Sequence, residues 1–181
     1  MGIIGAGVIG VASAYALARK GWHVTLIDAA DGPAMGASHA NGAQLSYCYT
    51  DALGNPWTMS ALPRLVFGDG GVKIGLGLHP YYLQWLATFA RNCTFGRFEK
   101  NTLEVLRLAQ ESRAAMERLC ERHNLQFHHR NAKKINLIYT PKERDRATSV
   151  QAIKGAAGCD QRLVEREEFP AIDAGLEGLD S

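Results

Sequence analysis

Met1, Ile3 and Ile4 form a short apolar run that stops at Gly5, a pattern that predicts a buried parallel strand over 1–4. Such a strand usually carries a few more residues ahead of its first glycine, so the start reads as clipped. Over 8–20 the apolar positions Val11, Ala14, Tyr15 and Ala18 recur at three and four residues in an alanine-rich stretch. That spacing predicts a helix, and Gly21 stands where the residue after its end belongs. A second strand is predicted over 23–27, closed by Asp28. Residues 29–60 hold many Gly, Ala, Ser, Asn and Pro and no periodicity, as in a long binding loop.

Further on, 61–78 is apolar and glycine-rich and predicts no definite element. Helices are expected over 81–92, behind Pro80, and over 98–123. In the longer one Leu103, Leu106, Met116, Leu119 and Cys120 share a stripe, and Glu and Arg fill the other face. Asn124 is placed to end it. Segments 126–130 and 134–139 predict two strands joined near Asn131, and a helix follows from Pro141 to about residue 154. The stretch 162–181, with Pro170, reads as chain between elements. No internal repeat or low-complexity segment is present.

The length of 181 residues suits one domain or one and a half. Hydrophobic residues at 46% and charged residues at 21% are ordinary for a soluble globular protein. The basic residues are dispersed and the net charge is +2, so nothing calls for nucleic acid. Cys48, Cys93, Cys120 and Cys159 make no CxxC pair, so neither a zinc site nor a disulfide framework is implied. They are expected as reduced thiols in a cytoplasmic setting, with Cys120 in the core. The most apolar stretch, 76–90, is broken by His79, Pro80 and Gln84 and is too short to span a membrane. The N-terminus has no basic leader, so no signal peptide is expected.

Gly5, Gly7 and Gly10 form GxGxxG between the first strand and the first helix. In that context Gly5 permits the tight turn, Gly7 admits a pyrophosphate close to the backbone, and Gly10 lets helix and strand approach. The helix start offers N–H groups and partial positive charge to phosphates. Asp28 follows 18 residues after Gly10, at the end of the next strand, where a ribose-hydroxyl acceptor is expected. The plainer reading is a glycine turn without ligand and Asp28 as a strand-end cap. FAD and NAD both use this motif. An NAD-dependent dehydrogenase predicts a continuing βαβ pattern after Asp28. The chain instead runs through GASHANGAQLSYCYTDALGNPW, whose small residues suit backbone lying against a flat ring system.

Three segments carry a resemblance to the glycine oxidase and D-amino-acid oxidase superfamily of FAD enzymes. They are GAGVIGVASAYALARKGWHVTLID, GASHANGAQLSYCY and LQWLATFARNCT, and a looser likeness continues through EREEFPAI. Within the superfamily the chain looks most like the small subunits of bacterial D-amino-acid dehydrogenases. The resemblance implies an α/β fold: a Rossmann-like FAD-binding βαβ unit and flavin loop over 1–60, then the helical and hairpin part of an α+β substrate domain over 61–181. It implies FAD contacts by Ile4, Gly5, Ala6, Gly7, Val8, Ile9 and Gly10, with Asp28 on the adenosine ribose and Ser38 near the phosphates. Asn41, Gly42, Ala43, Gln44 and Leu45 would run past the flavin ring, and Tyr49 would line the substrate side or else be a core or rim tyrosine. Where the family has a glycine-rich turn this chain reads NAKKIN.

Members are more than twice this length, so a fragment, a truncated product or half of a split protein completed by another chain is expected. A truncated, inactive nucleotide-binding module is the corresponding non-enzymatic reading. The implied reaction converts a D-amino acid to an imino acid, then to a keto acid, with electrons passing to a quinone or other carrier. The implied location is cytoplasmic, with peripheral contact at the inner face of the plasma membrane. No side-chain base is required if the amine arrives neutral, so His39, His79, His123, His128 and His129 receive no catalytic role and the catalytic set is left open. No metal is called for.

Overall fold

The computed structural model describes residues 1–61 and 77–172. The chain divides into two compact units, Met1–Leu45 and Ser46–Ser181.

The first unit is a parallel β–α–β arrangement. Strand β1 (Gly2–Ile4) pairs with β2 (Thr25–Ile27) in the register Gly2 to Thr25, Ile3 to Leu26 and Ile4 to Ile27. The ladder is extended at both ends, where Thr25 N donates to Met1 O at 2.9 Å and Gly5 N to Ile27 O at 2.7 Å. Helix α1 (Val8–Ala18) connects the strands. It is closed by Gly21 at φ +85° and by Trp22 N donating to Leu17 O. A left-handed residue after a helix is cheapest as glycine, so the sequence signal and the geometry agree.

The expected burial of the first strand is not met. Ile4 is 90% exposed and Ile9 of α1 78%. Parallel strands are buried when helices cover both sheet faces. A two-stranded sheet with one connecting helix cannot do that, and Ala6 is the buried residue of this unit.

The second unit is helical. Helix α2 (Pro56–Ser60) lies inside the stretch expected to be loop. Its signal was the pair Asn55–Pro56: Asn55 Oδ1 accepts from Thr58 N at 3.0 Å, and proline takes a first-turn position, where its missing N–H is harmless. Helices α3 (Pro80–Asn92) and α4 (Phe95–His123) fall where the periodicity put them. Asn124 ends α4 in the left-handed region at φ 46°. The exposed face of α4 carries Arg107 with Glu111 at 3.4 Å and Arg113 with Glu117 at 2.9 Å. Helix α5 (Pro141–Ala156) opens with a reciprocal cap between Thr140 and Glu143. A turn of 3₁₀ helix (Arg166–Glu168) and a short α6 (Phe169–Ile172) follow, where connecting chain was expected.

The core joins Ala52, Phe98 and Ile153, with Trp57 and Val150 packed against it. Trp57 meets Phe98 edge to face at 5.3 Å, the arrangement that aromatic quadrupoles favour. On α4 the buried line is Phe98, Thr102 and Leu106, four residues apart. The expected stripe shared only Leu106 with it. Leu103 is exposed, and Met116, Leu119 and Cys120 are half-buried, so Cys120 is not fully in the core. Thr102 escaped the hydrophobic pattern because it is polar; its Oγ1 accepts from Ala52 N at 3.1 Å, which makes its burial affordable.

Two further expectations are corrected. Neither 126–130 nor 134–139 forms a strand, and every residue of both is exposed. An isolated hairpin is marginal in water, and Phe127, Ile135 and Leu137 are all exposed, so no buried face supports one among the described residues. Cys48 and Cys159 are not free thiols but a disulfide, with Cα atoms 5.8 Å apart across 111 residues of sequence. The pairing had no sequence signal, because it depends on helix α5 turning back at Gly158, φ +84°. Cys93 and Cys120 are free. The segments 62–76 and 173–181, including the end of the stretch read as connecting chain, lie outside the described residues.

Candidate dinucleotide site

The glycine turn is built from the end of β1. Gly5 leaves the strand at φ +96°, a conformation L side chains rarely adopt. Gly7 is extended and starts α1, its carbonyl accepting from Val11 N at 3.0 Å. Gly10 lies against Gly5: a Cβ on Gly10 would stand 1.8 Å from Gly5 O. That is backbone against backbone, and no side-chain rotation relieves it.

Asp28 and Ser38 close on this turn from later in the chain. Asp28 Oδ2 accepts from Ala6 N at 2.6 Å, and Oδ1 from Ala30 N at 2.9 Å. These donors, Ala6 first, hold the carboxyl below its usual range, so it stands ionised beside the turn. Ser38 Oγ accepts from Val8 N at 3.0 Å and lies 3.3 Å from where a Gly7 side chain would begin. Ala34 N donates to Ala6 O at 2.9 Å and fastens the loop after β2 to the same turn.

The turn and Ser38 border an open cavity of about 290 Å³, lined by Gly5, Gly7, Val8, Gly10, Ser13 and Ser38, with Ile3, Ile4 and Ile9 also bordering it; Asp28 lies outside its lining. Whole small-molecule sites run from roughly 300 to 1,000 Å³, so this one suits a piece of a ligand such as a diphosphate. The chemistry of the donor set fits that piece: a helix start, two hydroxyls and close glycine backbone. Ser13, one turn into α1, was missed by sequence reasoning because it lies outside the motif spacing. The Asp28–Ala6 link was missed because only the parallel register brings them together.

Asn41 makes its own turn, its Oδ1 accepting from Ala43 N at 2.7 Å and its Nδ2 donating to Ser38 O at 3.4 Å. Ala43 is left-handed at φ 48°. Gly42, Gln44 and Leu45 are exposed. Tyr49 belongs to the second unit, where Lys134 Nζ lies 3.3 Å and Lys154 Nζ 5.9 Å from its ring centroid.

A family profile described as FAD dependent oxidoreductase matches residues 2–180. The chain is 34% identical over 97% of its length to D-amino acid dehydrogenase 2 of Ralstonia nicotianae. It is 31% identical over 96% of its length to D-amino acid dehydrogenases of Allorhizobium ampelinum and of Neisseria meningitidis serogroup C. It spans 42% of the length of each of these relatives. No solved structure matches it significantly. With nearly the whole sequence under that profile, and a glycine turn and acidic partner suited to a dinucleotide, the chain belongs to the FAD-dependent oxidoreductase family.

Proposed function

We propose that this chain is the FAD-binding front part of a D-amino-acid dehydrogenase. The observation that carries the reading is the continuous likeness to three proteins of that name along 96–97% of the chain. The β1–α1–β2 unit is then the start of a Rossmann-like sheet, with the flavin loop running to residue 60 and the substrate domain beginning at 61.

The backbone around Gly5, Gly7 and Gly10 and the N–H of Ile9 hold the pyrophosphate, while the N–H groups of Ala6 and Val8 are taken by Asp28 and Ser38 and shape the turn. Ser38 Oγ already accepts from Val8 N and keeps its own proton to donate to a phosphate oxygen. Asp28 is ionised, and each carboxylate oxygen keeps a lone pair for a ribose hydroxyl. Ile4 borders the phosphates from the strand end. Backbone from Asn41 to Leu45 passes the flavin ring, and Tyr49 faces substrate.

The chemistry that bound FAD would supply is acceptance of the hydride from the α-carbon. The amino acid leaves as an imino acid that hydrolyses to a keto acid and ammonia. The electrons go on to a quinone or another carrier at the membrane surface. Among the described residues no helix is long and apolar enough to cross a membrane. The region matching the remainder of the relatives, in the same protein or on another chain, would supply the rest of the site.

The test is reduction of a redox dye by FAD-supplemented protein, with and without that remaining stretch of the Ralstonia relative. D-amino acids should drive it and L-amino acids should not. Turnover with NADH but no D-amino acid would overturn the reading.

A further inference from the structure

The segment from Cys48 to Ala52 is fastened at every second residue or so to elements far away in sequence. Cys48 is covalently tied to Cys159, just beyond α5. Its carbonyl accepts from Lys154 Nζ at 2.9 Å and from Gln161 Nε2 at 3.1 Å. Lys154, 1% exposed, also pairs with Asp51. Ala52 N donates to Thr102 Oγ1 on α4. Gln110 Nε2, also on α4, lies 3.5 Å from Cys48 Sγ. The two contacts to the Cys48 carbonyl, from Lys154 and Gln161, need the Cys48 backbone held beside the end of α5, which is what the disulfide does.

We propose that Cys48–Cys159 is a reversible redox clamp on the Tyr49-bearing segment, opened by dithiol reductants. Cys48 is half-buried and Cys159 buried, so the entering thiolate attacks Cys48 sulfur. Cys159 leaves as a thiolate and takes a proton. The second thiol of the reductant then resolves the mixed disulfide at Cys48 and departs within a cyclic disulfide, leaving Cys48 to take its own proton. The protein gains two electrons and two protons, and the reductant loses both. Gln110, placed at Cys48 sulfur, is a hydrogen-bond donor for the thiolate that forms there. Opening the clamp frees one end of the 111-residue span and exposes the lysine–carbonyl contact to water.

The full chain, purified without reductant, is digested under non-reducing conditions and mapped by mass spectrometry. A linked Cys48–Cys159 peptide is expected, with Cys93 and Cys120 alkylated as free thiols. Hydrogen exchange is then compared before and after dithiothreitol. Amides of 49–52 should exchange faster by about tenfold or more after reduction, while β1, α1 and β2 keep their rates. Cys93→Ser with Cys120→Ser should preserve the response, and Cys48→Ser with Cys159→Ser should abolish it. Four free thiols in the air-exposed protein, or unchanged exchange at 49–52 on reduction, would overturn the proposal. Reduction of the native chain decides even if the serine variants fail to fold. No flavin or amino acid enters the measurement, so its outcome stands apart from the reading of the glycine turn.

Discussion

The carboxylate of Asp28, at the end of β2, accepts the backbone N–H of Ala6 in the glycine turn at 2.6 Å. One side chain thus ties the strand end to the phosphate-type turn and remains charged at its edge. The consequence for pH has a definite sign. The folded carboxyl is held below the unfolded value of 3.8, so its contribution is present above that value and is lost as pH falls through the lower folded value. Asp28→Asn should therefore melt lower than the wild type near neutral pH, and the gap should close as pH drops below about 4. Melting curves of both proteins across that range check it. A gap that widens on acidification would sink the account of Asp28.

Gly10→Ala should be poorly tolerated, because its methyl meets the carbonyl of Gly5 rather than a side chain. Overpacking of this kind costs about 1–3 kcal/mol, and here the strain falls on the turn itself. Gly36→Ala is the control, since nothing lies within 4 Å of its added carbon. Denaturant titrations should find a lowered midpoint for the first and little change for the second.

Lys154 and Asp51 should respond unequally. Asp51→Ala leaves the buried Lys154 ammonium with the Cys48 carbonyl but no carboxylate beside it, and should cost about 3 kcal/mol. Lys154→Met leaves an aspartate whose side chain is 38% exposed and can hydrate, and should cost less, about 1–2 kcal/mol. Equal losses in chemical denaturation would mean that the pair is held by packing alone.

Local chemistry explains what could be read in advance. Gly5, Gly21 and Asn124 were legible because each needs a left-handed backbone, which few residues supply. The helices at Pro80 and Pro141 were legible from proline at the start. The buried line of α4 was not, because Thr102 is polar yet satisfied by Ala52 across 50 residues. The hairpin over 126–139 failed for the opposite reason: its signal is local, but among the described residues no surface buries it. Cys48 and Cys159, like Asp28 and Ala6, meet only through tertiary structure, which residue spacing does not encode.

If the glycine turn with Asp28 holds the FAD pyrophosphate and ribose, flavin binding depends on those residues. Titration of the purified chain with FAD, followed by flavin fluorescence and by the visible spectrum, tests it most directly. Saturable binding at one FAD per chain is expected, weakened about tenfold or more by Asp28→Ala and by Gly10→Ala, and untouched by Gly36→Ala. Flavin binding indifferent to both turn substitutions, or saturable binding of NADH in place of FAD, would contradict it.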